Sequence, residues 1–463
     1  MKGKPILRSG FLLYDMLTLD RNRGIKDPQR RIPRGKFLSR REVLNHFPDL
    51  PAEGLTGAAV MCDAQMYNPP RLALSFLRSA VDLGAQVANY VQVRGFTRES
   101  SGVNGVDAVD LLSGVRIQIR ARMVLNTAGP WASRLLEDAG GLALKKKPSF
   151  SRDVGLVIDR PLMNTYGLAC SALTKDVEAL IDRGGRHLFI LPWKDHTLVG
   201  VWHKVYTGPP DEFSVSNNEL NTFIEEANGA YPGLQLKISD VSTVITGLIL
   251  FGSGSQDKDK HSFAKRSILV DHAKEHGIEG LITLIGVRAT TARSMAEKAV
   301  NLILKKLGLP KVPCRTSKTP IFGGRIESIE KLMNEAIDQA PELITPQTIR
   351  SLVRNYGSEY KAILKYFEED PDLGRPVGTS HVIAAEVTHA VREEMAQTLQ
   401  DVVLRRTDLG TGVDPGEESL SACARTMAGD LGWDPDRIQK EVATAKAFFA
   451  HRGSNKNFKV YQP

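Results

Sequence analysis

The chain is poor in cysteine, poor in aromatic residues and without a long apolar run. Cys62, Cys170, Cys314 and Cys423 are the four cysteines among 463 residues. They are far apart, with no C-x-x-C pair beside histidines, which argues against a zinc module and against a disulfide-dense secreted scaffold. Reduced, structural thiols are the expectation, because an unpaired cysteine is commonly a small buried hydrophobe. No segment approaches the roughly 20 consecutive apolar residues of a spanning helix. The opening Met1-Lys2-Gly3-Lys4-Pro5-Ile6-Leu7-Arg8 has charge but lacks the apolar stretch and cleavage site of a secretory signal, so a cytoplasmic location is expected. The densest basic clusters, Lys145-Lys146-Lys147 and Arg30-Arg31 with Arg34, sit in no nucleic-acid module. A net charge of +8 suits an anionic small molecule or peripheral contact with an acidic membrane surface.

What is present divides the chain into two or three cores, since this length exceeds one. Ser39-Arg40-Arg41-Glu42 has capping-box spacing, and Pro70 to Gly84 has a helical period. A strand over Gln86 to Val93 precedes a hairpin of Val106 to Leu111 and Val115 to Arg120, joined through Leu112-Ser113-Gly114. Met123 to Thr127 then reads as a buried strand, ending in Ala128-Gly129-Pro130-Trp131 before a helix over Ala132 to Ala139. This order fits the later half of a doubly wound nucleotide-binding domain with a β-meander crossover. From about Lys145 to Leu250 strands dominate, including Gly155 to Ile158, His187 to Leu191 and Thr197 to Trp202, with one helix over Ser216 to Ala230. The strand Gly280 to Ile285, its turn and the helix Ala292 to Leu307 return to the first domain. Beyond Arg325 the period is helical throughout, with one long helix expected over Val382 to Leu404.

The clearest chemistry lies in Gly286-Val287-Arg288-Ala289-Thr290-Thr291, where a helix begins at the carboxyl end of a strand. Free backbone N–H groups and the positive end of the helix dipole favour an anion there. Gly129, in the other strand-to-helix turn, lets backbone approach a cofactor closely. His203, after a strand, is a candidate general base, because imidazole exchanges protons near neutrality. His389 shares a helix face with Glu386 and Glu393, but one helix supplies too few ligands for a metal. That face is expected to be solvated or interdomain, and no metal is expected.

Several segments together resemble the FAD-dependent glycerol-3-phosphate dehydrogenase and oxidase family, within the amino-acid-oxidase-like flavoproteins. They are Cys62-Asp63-Ala64-Gln65-Met66 with Arg71-Leu72, Asn126-Thr127-Ala128-Gly129-Pro130-Trp131, Ile285 to Glu297, and Ala385-Glu386-Val387 through Leu404-Arg405-Arg406-Thr407. The resemblance implies non-covalent FAD, oxidation of sn-glycerol 3-phosphate to dihydroxyacetone phosphate, hydride transfer to flavin N5, and quinone or oxygen as electron acceptor. Carried over by position, Val93 would meet the adenine through its backbone, Ala128 and Gly129 would line the cofactor, Gly286, Ala289, Thr290 and Thr291 would face the flavin, and Arg288 would lie near the reacting oxygen.

The expected architecture is α/β and α+β. It comprises an incomplete Rossmann-like FAD domain (1–144 and 251–318), an interleaved α+β substrate domain (145–250) and a C-terminal all-helical domain (325–463). The chain departs from the family's pattern at five places. No G-x-G-x-x-G occurs near its start, and the family's G-G-K-x-T-T reads Gly286-Val287-Arg288-Ala289-Thr290-Thr291. The family's A-G-L-R-P-L, whose arginine is expected to grip phosphate, reads Thr246-Gly247-Leu248-Ile249-Leu250-Phe251. Its G-T-T-D and K-G-x-H read Gly200-Val201-Trp202-His203 and Arg152-Asp153-Val154-Gly155. Arginine cannot serve as the base that lysine can. Two rival functions therefore stand beside the first: a non-catalytic relic or partner subunit, associating as an oligomer or with a polypeptide that carries the missing segment, and an amine or hydroxy-acid oxidase.

Overall fold

The computed structural model describes residues 4–459 apart from 101, 163, 172–186, 253–261, 264–266 and 453–457. Helix α1 (Pro69–Asp82) opens on Asn68, whose side chain accepts from the Arg71 N–H, with proline in the first turn. Three antiparallel strands follow, β1 (Val91–Glu99), β2 (Gly102–Asp110) and β3 (Arg116–Arg120). The β2–β3 hairpin turns where the alternation predicts. The strand expected over Gln86 to Val93 starts instead at Val91, because Tyr90 takes a left-handed φ of 56° that extended backbone cannot accommodate. Strand β4 (Val124–Asn126) leads through a single helical turn, Gly129–Trp131, into α2 (Ala132–Gly140).

A second layer is a six-stranded sheet. Its strands are β5 (Ser149–Ile158), β6 (Leu168–Ser171), β7 (His187–Trp193), β8 (His196–Tyr206), β9 (Val241–Gly252) and β10 (Ser262–Phe263), in the order β10-β9-β5-β8-β7-β6. Helix α3 (Asn217–Ala230) begins on a capping box between Ser216 and Glu219. It buries Leu220, Phe223 and Ile224 against Val154, Leu156, Ile158, Trp202 and Val244 of the sheet. One residue in two along β5 thus enters this core, and the alternate residues face the other way.

Strand β11 (Ile268–Asp271) pairs antiparallel with β12 (Leu281–Ile285), and β12 lies parallel beside β4. Helix α4 (Ala292–Lys306) follows β12. Beyond residue 325 the described elements are helical up to Arg452, and include α5 (Pro346–Tyr356) and α6 (Ala384–Glu394). Helix α5 begins on Thr345, whose side chain accepts from the Thr348 N–H, with proline at the first helical position. The single helix expected over Val382 to Leu404 is broken. Met395 takes a left-handed φ of 53°, and Thr398 with Asp401 forms a new capping box that restarts the helix at Leu399. No helix among the described residues is long and apolar enough to cross a membrane. The thiols also depart from expectation: Cys423 is buried, but Cys62 and Cys314 are exposed.

A buried polar cluster joins α1 to the C-terminal helices. Arg71 Nη1 lies 2.5 Å from Glu394 Oε2, with side chains 5% and 0% exposed, and its guanidinium stands 4.1 Å from the Tyr356 ring centroid. Nearby, Asn68 and Asn355 each donate to Asp408 at 2.7 Å, and Lys194 reaches the same carboxylate. His389 and Glu386 belong to this junction. Both are buried, which corrects the solvated alternative for their helix face, while Glu393 remains half exposed. Burial pushes the Glu386 carboxyl up to about 8 despite its bond from the Ile383 N–H, and the Asp408 charge adds to the rise.

Candidate functional site

Two glycine turns leave one sheet edge side by side. The parallel register Leu281↔Val124, Ile282↔Leu125, Thr283↔Asn126 brings the carboxyl ends of β4 and β12 level, the position at which open α/β sheets bind ligands. Asn126 fixes the first turn, accepting from the Ala128 N–H at 3.1 Å and donating to the Ala132 carbonyl at 3.0 Å. Gly129 holds a φ of 58°, and a Cβ built there would meet no atom within 4 Å. Gly286 is equally open. Val287 packs with Ile285, Ala132 and Leu250, and Ala128 lies against the same cluster. The two turns therefore share one apolar footing.

From this footing Arg288, Ala289, Thr290 and Thr291 project outward, all exposed. Ala289–Thr291 forms one 3-10 turn ahead of α4, and neither helix start carries a side-chain cap or an acidic residue in its first turn. An uncapped, exposed helix N-terminus without a carboxylate presents N–H dipoles to an anion. Val93 lies elsewhere in the meander, paired with Ala108 at a bulge, its side chain packed toward Phe96 and Leu281.

The alternate residues of the six-stranded sheet carry the second half of the candidate site. His203 on β8 stands opposite Asp153 on β5, with Nδ1 to Oδ1 at 2.7 Å, and the Ser151 hydroxyl donates to the same Asp153 oxygen at 2.8 Å. Asp153 is nearly buried, whereas a third of the His203 side chain is exposed. Across the next ladder, Ile249 stands opposite Ser151, Gly247 opposite Asp153 and Ile245 opposite Gly155. The neighbouring Arg152 and Lys204 lie on the opposite face, where both pair with Glu219 on α3.

Sequence reasoning singled out His203 but not its partners, Asp153 and Ser151. Their signal was a run of polar residues at the start of a strand whose second half is apolar. Recognising the pair also required the register between strands fifty positions apart. No group of histidine, cysteine and carboxylate side chains among the described residues is arranged to hold a metal.

Two adjacent open turns at the carboxyl edge of a parallel strand pair, with a second sheet packed against their footing, define a nucleotide-cofactor-binding α/β protein. Residues 7–282 match the FAD dependent oxidoreductase family, and residues 314–438 match the C-terminal domain of alpha-glycerophosphate oxidase. The chain therefore belongs to the FAD-dependent glycerol-3-phosphate dehydrogenase family of oxidoreductases, with FAD as cofactor. It is 30% identical over 449 residues to a glycerol-3-phosphate dehydrogenase of Synechocystis, covering 94% of this chain and 77% of that protein. With the human mitochondrial glycerol-3-phosphate dehydrogenase it shares 27% identity over 89% of its own length, spanning 56% of that relative. The same fold occurs in a Bacillus halodurans glycerol-3-phosphate dehydrogenase complexed with FAD, at a TM-score of 0.73 and 24% identity, covering 89% of this chain and 79% of the other.

The residues present fit the flavin end of that cofactor. Gly129 and Gly286 leave space where a side chain would stand, and the bare start of α4 suits an electron-rich ring edge.

Proposed function

We propose that the chain catalyses FAD-dependent oxidation of sn-glycerol 3-phosphate or a related small secondary alcohol to the ketone. The observation that carries this reading is the His203–Asp153 pair, held at 2.7 Å on the sheet face that α3 leaves uncovered. Bound FAD supplies the hydride acceptor, and quinone or oxygen the final oxidant. In this reading Ala128, Gly129, Gly286, Ala289, Thr290 and Thr291 hold the flavin end, and the backbone of Val93 meets the adenine.

Asp153 engages His203 Nδ1 and orients the imidazole, which in this reading serves as the general base for the hydroxyl proton. With FAD bound, its flavin would supply the acceptor for the carbinol hydride, and removal of the hydroxyl proton by the imidazole would favour that loss. Arg288 contributes a fixed positive charge near the reacting oxygen; as an arginine it stays protonated and does not compete for the proton. Ser151 holds the Asp153 oxygen that orients the imidazole.

The test is dye reduction by the purified chain after incubation with FAD, using glycerol 3-phosphate and uncharged secondary alcohols as donors. Reduction that falls about a hundredfold in His203→Gln is expected. A colourless protein that reduces dye with none of these donors sinks the reading.

A further inference from the structure

We infer that His272 and His276 form a two-imidazole site for a single shared proton, and that filling it reverses the hydrogen bond to Thr283 on β12, the strand that carries the Gly286 turn.

Strand β11 runs into a single helical turn, His272–His276. Asp271 caps it, its side chain accepting from the Ala273 N–H, and Gly277 closes it at a φ of 70°. Residues four apart share one face of such a turn. The two rings therefore stack, with centroids 5.1 Å apart and an interplanar angle of 24°. His272 is buried and His276 partly so. All four ring nitrogens are engaged. The two Nδ1 atoms meet at 3.1 Å, His272 Nε2 lies 2.9 Å from the Thr283 hydroxyl oxygen, and His276 Nε2 lies 2.9 Å from the Ala143 carbonyl oxygen beyond α2.

That last contact fixes the direction of the others. A carbonyl only accepts, so His276 Nε2 carries hydrogen. In the neutral pair His276 Nδ1 is then bare and accepts from His272 Nδ1, and His272 Nε2, bare in turn, accepts from the Thr283 hydroxyl. One added proton leaves hydrogen on both Nε2 atoms and one hydrogen between the two Nδ1 atoms. His272 now donates to Thr283, whose hydroxyl has become the acceptor. A second proton would set two N–H groups against each other at 3.1 Å, so the site holds one.

The surroundings decide which ring bears the charge. Burial, with His276 beside it, pushes the His272 imidazole down to about 4, against the pull of Asp271. The charge therefore rests on His276, the less buried ring. The other charged groups at hand are Lys274 and Glu275 in the turn itself, Lys306 from α4, which holds both Asp271 and Glu279, and Lys145-Lys146-Lys147 downstream of Ala143. Thr283 stands opposite Asn126, the residue that fixes the Ala128 turn. A change in pH at the surface thus reaches the strand pair beneath both glycine turns.

The experiment is long-range nitrogen–proton correlation NMR on the full chain with FAD, isotope-labelled at the histidine ring nitrogens, whose shifts separate a bare nitrogen from one that carries hydrogen. From about pH 8 to about pH 5 the two rings are expected to change together at one midpoint. His276 gains hydrogen on Nδ1 while the hydrogen of His272 passes from Nδ1 to Nε2. His276→Gln identifies the two sets of signals and should leave His272 Nε2 bare throughout. Thr283→Val removes an acceptor that the charged pair needs more than the neutral one, and should lower the midpoint by about one pH unit. Thr283→Ser should return it, which separates loss of the hydroxyl from altered packing. Hydrogen on His272 Nε2 at the alkaline end, a His272 ring that stays unchanged across the range, two separate protonation steps, or a midpoint unmoved by Thr283→Val overturns the inference.

Discussion

The polar groups around Arg71 and those around Asp153 are both charged clusters held by partners distant in sequence, yet their surroundings ask different things of them. Around Arg71 the partners come from α1, α5 and α6, and the side chains of Arg71 and Glu394 are almost wholly withdrawn from water. Around Asp153 the partners come from two neighbouring strands of one sheet, and His203 opens to solvent. The first arrangement fixes how two helical layers meet. The second holds a partly exposed imidazole against a buried carboxylate on the sheet face opposite α3. Burial penalises a charge that has no partner, so Glu394 depends on Arg71, whereas the partly exposed His203 depends less on its surroundings.

Breaking the ion pair is expected to produce the largest effect. Arg71→Met leaves Glu394 charged and buried, and should cost about 3–5 kcal/mol of stability by calorimetry. The double replacement Arg71→Met with Glu394→Leu should recover most of that loss, because no charge is then stranded. If the single variant melts like the parent chain, the contrast between the two clusters collapses.

Next in size, Asp153→Asn should lower kcat by about a hundredfold, equivalent to about 2.7 kcal/mol of transition-state stabilisation. Its melting temperature should stay close to that of the parent, and steady-state kinetics beside a thermal melt check both halves.

Glu386 sharpens the comparison through pH. Its carboxyl titrates near 8 in the folded chain, above the ordinary carboxylate range, so between those values the native state binds a proton that the unfolded state has released. Stability from this group is full below the ordinary carboxylate range and declines as pH rises toward 8. Glu386→Gln should therefore flatten the fall in melting temperature between pH 5 and pH 8, gaining about 1–2 kcal/mol at the alkaline end. A steeper fall in the variant would contradict the assignment. The smallest effect is expected from Ser151→Ala, which removes one of the two bonds to Asp153 Oδ1 and should cost severalfold in kcat, or about 1 kcal/mol.

How much of this was legible in the sequence depends on the range of each interaction. The capping boxes at Ser39 and Ser216 and the proline start of α5 involve residues within one turn, and the first and last stood plainly in the text of the chain. The break at Met395 was hidden, because a methionine in left-handed backbone carries none of the signal that glycine would. Glu386 and His389 read as a polar helix face, and side chains brought over from other helices, among them Arg71, Tyr356 and Tyr366, make that face interior. The turn at Gly286 was readable as a helix start after a strand, because strand, turn and helix follow one another in the chain. Asp153 went unrecognised as a partner for the opposite reason: its meaning lies in a strand ladder, which no single segment contains.

The pairing of β4 with β12 also sets a schedule for folding. Val124 to Asn126 emerge from synthesis about 150 residues ahead of Leu281 to Thr283, the strand they must lie against. The whole six-stranded sheet is made in the interval. At ribosomal rates of about 5–20 residues per second, β4 waits for many seconds with one edge exposed. Refolding of this part of the chain should be slow for its size, since a long loop must close before the contact rewards it, whereas the helices beyond residue 325, whose contacts are nearer in sequence, can form as they appear.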